Sequence, residues 1–281
     1  GRRDEAIGVY DTISATYPRP QDKAEAGYRI GMIYLDLRDN PGAALTMLDS
    51  VTTRYAGGLG YLRALLARPD AYIRLGELDR ARSILQEIQT RNVNEDIAEE
   101  VIFKLAKIAF YDKHFDSAQA GFNRLMVDYP RGFYVNDALQ LMLVIEEAGG
   151  NRPLLHDYSM ALLFAERRRF DSCRVRLEQI AQAEDSSLAD VALFHLADMS
   201  IERQDSTAAL GYIDRLAARF PESYYVPFGL KIKGDMYVSD PGRREEGKAI
   251  YRLLLEQHAN YPFISEVRKK LRELEWDPKT G

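Results

Sequence analysis

A short pattern of large side chains recurs along the chain, and this recurrence constrains the fold more than any other feature. An aromatic or aliphatic residue is followed after three positions by an aliphatic one, after four more by an aromatic one, and then by Pro or Ala. The segments are Tyr10, Ile13, Tyr17, Pro18; Leu48, Val51, Tyr55, Ala56; Phe122, Leu125, Tyr129, Pro130; and Ile213, Leu216, Phe220, Pro221. Spacings of three and four place these side chains on one helical face, and Pro disfavours continuation of a helix. The pattern therefore predicts helices that end at the aromatic residue.

A small residue precedes each pattern by four positions. The series is Ala6, Ala44, Ala81, Ala118, Cys173, Ala209 and Ala249, at successive intervals of 38, 37, 37, 55, 36 and 40 residues. Small side chains are needed where two helices cross closely, because larger ones would separate the helices. Cys173 is accordingly predicted to act as a small buried apolar residue.

A second helix is predicted before each of these, because another small residue lies about twelve positions upstream. Ala106, Ala161 and Ala197 show this spacing, and Gly31 and Gly234 show it with longer turns. The intervening turns are polar. In three of them an Asp is placed to accept bonds from the first-turn N–H groups of the next helix, namely Asp116, Asp171 and Asp205. Helix pairs joined by capped turns follow from this arrangement.

These residues resemble the tetratricopeptide repeat family, in which small residues mark the close contact of two helices and an aromatic residue and Pro end each repeat. The resemblance covers nearly the whole chain and implies an all-α, right-handed α-solenoid of antiparallel helix pairs. The ending from Phe122 to Pro130 is similar to the bacterial cell-envelope branch, which includes the lipoprotein of the outer-membrane β-barrel assembly machine and the Tol–Pal-associated coordinator. A bacterial periplasmic or envelope location is the corresponding expectation.

One solenoid of about fourteen helices is predicted over residues 1–281. The expected repeats are 1–18, 24–56, 60–92, 97–130, 152–182, 188–221 and 225–262, with an extra helix at 134–148 and a terminal helix at 263–275. The first of these resembles the second half of a repeat, so we expect the chain to be a fragment of a longer protein.

Two segments depart from the pattern. Pro69 occupies a small-residue position, and we expect it to kink the helix or to begin a short one, leaving 60–68 as a separate turn. The extra helix is apolar nearly all round, so Leu141, Met142 and Ile145 are all expected to be buried.

The composition argues against several functional classes. The net charge is -5, with 38 basic and 43 acidic residues interspersed, which does not favour a nucleic-acid partner. The one Cys cannot form an internal disulfide, the four His show no metal-ligand spacing, and no nucleophile or phosphate-loop motif is found. The apolar runs are far shorter than the ~20 residues that span a bilayer. We expect no catalysis, no cofactor, no metal, no membrane span and no small-molecule substrate.

The basic run Arg167–Arg169 has two interpretations. It lies at a predicted helix C-terminus, where cations complement the helix dipole. This structural interpretation is the favoured one, and the alternative is a docking patch for an acidic partner.

The expected function is that of a non-catalytic scaffold that binds a protein or peptide, because the first helices of stacked pairs line a concave face. The alternative is a structural array within a larger enzyme or signalling protein. The residues predicted to face the groove are Tyr28, Met32, Phe103, Lys107, Tyr158, His195, Asp198, Lys231 and Asp235.

Overall fold

A computed structural model describes residues 2–91 and 93–275. Throughout that part of the chain the regular structure is helical and contains no strand, which confirms the all-α prediction. The fifteen described α-helices are α1 Arg2–Thr16, α2 Pro20–Met32, α3 Pro41–Arg54, α4 Gly58–Leu75, α5 Leu78–Gln89, α6 Glu95–Tyr111, α7 Phe115–Asp128, α8 Val135–Glu147, α9 Arg152–Glu166, α10 Phe170–Gln182, α11 Ala189–Glu202, α12 Ser206–Arg219, α13 Val226–Ser239, α14 Arg244–Gln257 and α15 Ile264–Glu275. A π-helical segment, Ile33–Leu37, continues α2. None of these helices is both long and apolar enough to cross a membrane.

The helices form two compact units. Unit one comprises Gly1–Glu146 and Ser159–Cys173, and unit two comprises Glu147–Tyr158 and Arg174–Gly281. In unit one, α2 packs on α3, both α3 and α5 pack on α4, and α6 packs on α7. In unit two, α11 packs on α12 and α13 on α14. Neighbouring helices thus pack in pairs, as in a tetratricopeptide-type solenoid. The single array over the whole chain, with the repeat boundaries given above, stays a prediction. Residues 1 and 92 of two expected repeats lie outside the described residues.

The predicted small residues lie at close helix contacts. Ala44, Ala81, Ala118 and Ala209 are fully buried and Cys173 nearly so. A Cβ added at Gly121 would come within 2.7 Å of the Cβ of Ala106. Larger side chains would force such helices apart.

Ala249 was the wrong choice for the last member of this series. Ala249 is exposed, whereas Gly247 is buried. A Cβ at Gly247 would lie 2.6 Å from Cγ2 of Val238, so this position requires glycine. Counting from Gly247 places Tyr251 and Leu254 in the core, and both are buried.

The predicted helix ends are confirmed at three repeats. Tyr55, Tyr129 and Phe220 are the C-cap residues of α3, α7 and α12. Phe122 and Leu125, which precede Tyr129 on the same face, are fully buried.

The expectation that Pro69 begins a short helix and leaves 60–68 as a separate turn was wrong. Helix α4 is continuous from Gly58 to Leu75 with a buried Pro69 inside it, and residues 60–68 are part of that helix. Lys104 on α6 donates from its Nζ to the carbonyl of Leu66 at 3.2 Å, in the turn that Pro69 disturbs. The N–H that proline lacks would have bonded the carbonyl of Leu65, so Lys104 bonds the neighbouring carbonyl and does not replace that bond.

Helix α8 is less buried than its composition predicted. Met142 and Val144 are buried, but Leu141 and Ile145 are only half-buried. The prediction that Leu141 and Ile145 are buried was wrong, and the exposed Leu139 shows that α8 is not covered all round.

Candidate protein-interaction surface

The predicted groove residues occupy the first helix of each pair, and we refer to them as the first-helix stripe. Unit one carries Tyr28 and Met32 on α2 and Phe103 and Lys107 on α6. Unit two carries Tyr158 on α9, His195 and Asp198 on α11, and Lys231 and Asp235 on α13.

Two aromatic members of the stripe are buried. Phe103 is 6% exposed and stacks on Tyr134, with ring centroids 4.7 Å apart. Tyr158 is 0% exposed, and its ring meets that of His195 edge-on at 5.9 Å. Neither ring is presented at a surface, contrary to the prediction. Phe103 is buried because the ring of Tyr134, in the turn after α7, stacks on it.

Tyr28 and Met32 remain partly accessible. Both are half-buried and pack against a cluster that includes Leu48 and Ala64, and the guanidinium of Arg29 lies 5.5 Å from the ring centroid of Tyr28. They provide the apolar part of the stripe that a partner could reach in unit one.

Lys107 is held by an intramolecular ion pair. Its Nζ pairs with Glu166, which also accepts a hydrogen bond of 3.1 Å from the hydroxyl of Tyr111. Burial alone would raise the pKa of Glu166, but Lys107 and Tyr111 outweigh burial and lower it. The charge of Lys107 is thus already balanced within unit one.

Lys231 and Asp235 belong to a network between α13 and α15. Lys231 lies 2.9 Å from Asp235 and 3.2 Å from Glu266, and Lys270 lies 3.1 Å from both carboxylates. The hydroxyl of Tyr251 on α14 donates a hydrogen bond to Asp235. Burial would raise the pKa of Asp235, but these partners lower it. The network links α13 to α15, so the charges of Lys231 and Asp235 are paired within the protein.

His195 and Asp198 are the remaining members in unit two. His195 is half-buried, with its ring centroid 6.0 Å from that of Phe194, and burial lowers its pKa although Asp198 opposes the shift. Asp198 is exposed. It is the charged member of the stripe most accessible to a partner.

Sequence reasoning missed a set of ion pairs that link the first helices of successive repeats. Arg63 pairs with Glu25 at 2.8 Å, and Lys104 pairs with Asp70 at 2.8 Å. The partners are separated by 38 and 34 residues, close to one repeat. Opposite charges at the repeat interval are the signal that could have revealed them.

The run Arg167–Arg169 favours the structural interpretation. Arg167 donates to the carbonyl of Leu75 at 3.3 Å, at the C-terminal end of α4. A Cβ at Gly76, whose φ is +85°, would lie 2.8 Å from the guanidinium carbon of Arg167. Arg169 lies over the ring of Phe164 at 4.9 Å. The cations therefore complete a helix end and cover a ring.

A cleft in unit two was also missed. It lies between the turn that joins α12 to α13 and the turn that joins α14 to α15, and its volume is about 560 Å³. Aromatic residues Tyr224, Phe228 and Tyr261 line it, and Tyr224 is 45% exposed. The sequence feature that could have indicated this cleft is the aromatic residue three positions after the Pro that ends a repeat, as Tyr224 follows Pro221. Phe133, at the matching turn position in unit one, is 82% exposed.

No group of three or more His, Cys, Asp or Glu residues within 2–91 and 93–275 is arranged to hold a metal ion.

Comparison with known proteins identifies one repeat. Residues 191–223 match the family model described as Tetratricopeptide repeat. The match spans nearly all of α11, the whole of α12 and the turn that begins the cleft. No curated protein matches the chain. The matched segment is thus a tetratricopeptide-type repeat, whereas no match supports the outer-membrane assembly or Tol–Pal type.

Proposed function

We propose that this chain is a non-catalytic scaffold that binds a peptide or helix of a partner protein on the surface formed by its first helices. The observation that carries the proposal is the tetratricopeptide repeat at residues 191–223, in a chain whose other neighbouring helices also pack on one another. Repeats of this family typically bind proteins. Stacked helix pairs create extended surfaces suited to such binding.

The accessible parts of the first-helix stripe are the proposed contact points. Tyr28 and Met32 offer apolar surface and Asp198 offers an exposed carboxylate. Lys107, Lys231 and Asp235 support the surface through their ion pairs, and they could contact a partner only by exchanging those pairs. Breaking a partly buried pair leaves one charge uncompensated, which is unfavourable.

Site-specific photo-crosslinking in the full-length protein tests this proposal. A photoreactive residue is placed at Met32 or Asp198 on the stripe, or at the exposed Gln86 on the second helix of a pair as the control. We expect each stripe position to crosslink a partner, identified by mass spectrometry, more strongly than Gln86. Crosslinking confined to Gln86, or to none of the three positions, would contradict the proposal.

A bacterial cell-envelope complex is the narrower setting that we propose for this scaffold. It rests only on the repeat ending from Phe122 to Pro130. Fractionation of cells that express the full-length protein tests it, because recovery in the cytoplasmic fraction alone would contradict an envelope location.

A further inference from the structure

We propose that the cleft of unit two binds a short proline-containing segment in the polyproline II conformation, flanked by a basic residue. This inference rests on the proposed function and specifies one class of segment that the scaffold takes. It places the contact at the turns between repeats, away from the first-helix stripe.

The size of the cleft favours a short extended segment. Its volume of about 560 Å³ lies in the range of sites that enclose a small ligand or a few residues. A bound helix is about 10 Å across and uses anchors over two turns, which requires a longer groove. Strand addition requires an exposed sheet edge, and the described residues form no sheet.

The aromatic lining of the cleft includes one exposed ring, that of Tyr224, which a proline can contact. The rings of Phe228 and Tyr261 are perpendicular, with centroids 4.9 Å apart, and those of Tyr224 and Phe228 are tilted by 48° at 5.1 Å. Phe228 and Tyr261 are thus in edge-to-face contact and Tyr261 is only 5% exposed, whereas Tyr224 is 45% exposed and presents its ring to the cleft. Polyproline II segments dock into aromatic-lined grooves of this kind, and their preformed conformation limits the entropy lost on binding.

The polar groups of the cleft complement such a segment. Proline has no N–H, so the segment presents mainly carbonyl oxygens. The side chains of Gln257, Asn260 and Tyr224 line the cleft and can donate hydrogen bonds to them. Among the described lining residues, Glu222 supplies the carboxylate and there is no Lys or Arg. A basic flanking residue is therefore favoured by charge complementarity.

Fluorescence anisotropy with a labelled synthetic peptide, Arg-Ala-Leu-Pro-Pro-Leu-Pro, tests the binding chemistry. We expect saturable binding with a Kd below about 1 mM, and at least about tenfold weaker binding when every Pro is replaced by Ala. Undetectable binding of the proline peptide, or equal binding of the two peptides, would overturn the proposal.

Substitutions in the chain locate the site. Tyr224→Ala should raise the Kd at least about tenfold, because large rings dominate such contacts. Glu222→Lys should weaken binding and reverse the preference towards a peptide in which Glu replaces Arg. Phe133→Ala removes the exposed ring at the matching turn of unit one and should leave the Kd unchanged. Circular dichroism checks that each variant is folded.

Two results would assign the binding elsewhere. Unchanged affinity in both Tyr224→Ala and Glu222→Lys would show that the cleft is not the site, and so would an equal loss in Phe133→Ala. Photo-crosslinks from Met32 and Asp198 distinguish this failure from that of the scaffold itself. If these crosslinks persist while the peptide does not bind, the cleft proposal fails and the proposed function stands.

Discussion

Individual buried side chains behave mostly as the repeat pattern predicts, and Cys173 is the clearest case. It occupies the small-residue position of α10 and is 1% exposed. The prediction followed from the spacing alone, since the position is defined by Leu177 and Ile180 in the same helix.

Substitution of Cys173 tests this packing. Cys173→Ala should be nearly neutral, whereas Cys173→Leu should lower the free energy of unfolding by about 1–3 kcal/mol through overpacking. Denaturant titration measures both changes. Under native conditions the thiol should react slowly with a thiol reagent, and rapid labelling of the folded protein would contradict its burial.

His195 gives the chain a pH-dependent contribution to stability. Burial lowers the pKa of His195 below its usual value of 6.5. As the pH falls below 6.5, His195 therefore binds a proton more readily in the unfolded state than in the folded state. Stability from this group is therefore complete above pH 6.5 and decreases as the pH falls towards the folded-state pKa.

Thermal unfolding between about pH 7.5 and pH 5.5 measures the effect. His195→Gln should reduce the loss of stability on acidification. Asp198→Asn should increase it, because the charge of Asp198 partly opposes the shift. An unchanged pH dependence in both variants would refute this assignment.

Helix boundaries could be predicted because the residues that end a helix act locally. The Pro after Tyr129 and after Phe220 removes a donor, and the helices end at those residues. The continuity of α4 through Pro69 could not be predicted in this way, because Pro69 is buried inside the helix and that packing involves residues far away in the sequence.

Lys104 should stabilise its neighbourhood more than a typical surface ion pair. Its side chain is 13% exposed and contacts Asp70 and Glu100 at 2.8 and 2.7 Å. Burial would lower the pKa of Lys104, but the two carboxylates outweigh burial and raise it. The residue therefore stays charged and bridges α6 to α4.

Removing this cation tests its contribution. Lys104→Met should lower the free energy of unfolding by about 1–3 kcal/mol, because both carboxylates lose their shared partner but stay partly exposed to water. The matched control is Arg124→Met, which removes an exposed pair with Asp128 on α7 and should change stability by less than about 1 kcal/mol. Similar losses in the two variants would contradict the special role of Lys104.

At the scale of the whole chain, the helical class and the pairing of helices could be predicted, but the accessible surface could not. The positions of the stripe residues follow from helical periodicity. Their exposure does not, because residues from distant turns and helices can cover them. Tyr134 covers Phe103, and ion pairs across repeats occupy Lys107 and Lys231. The cleft likewise depends on two turns meeting, which no local pattern shows.

The separation of binding from stability is the last prediction. Phe103 and Phe122 are both buried and their ring centroids lie 6.1 Å apart, so both rings belong to the core of unit one. Phe103→Ala should therefore resemble Phe122→Ala and lower the free energy of unfolding by about 3–5 kcal/mol.

Asp198→Lys changes an exposed side chain of the stripe and should leave the melting temperature largely intact. If the stripe binds the crosslinked partner, Asp198→Lys should weaken binding of that purified partner at least about tenfold through reversed charge. A large loss of stability without loss of binding in Asp198→Lys would contradict this separation. Full stability in Phe103→Ala would return its ring to the surface and make it a binding candidate again.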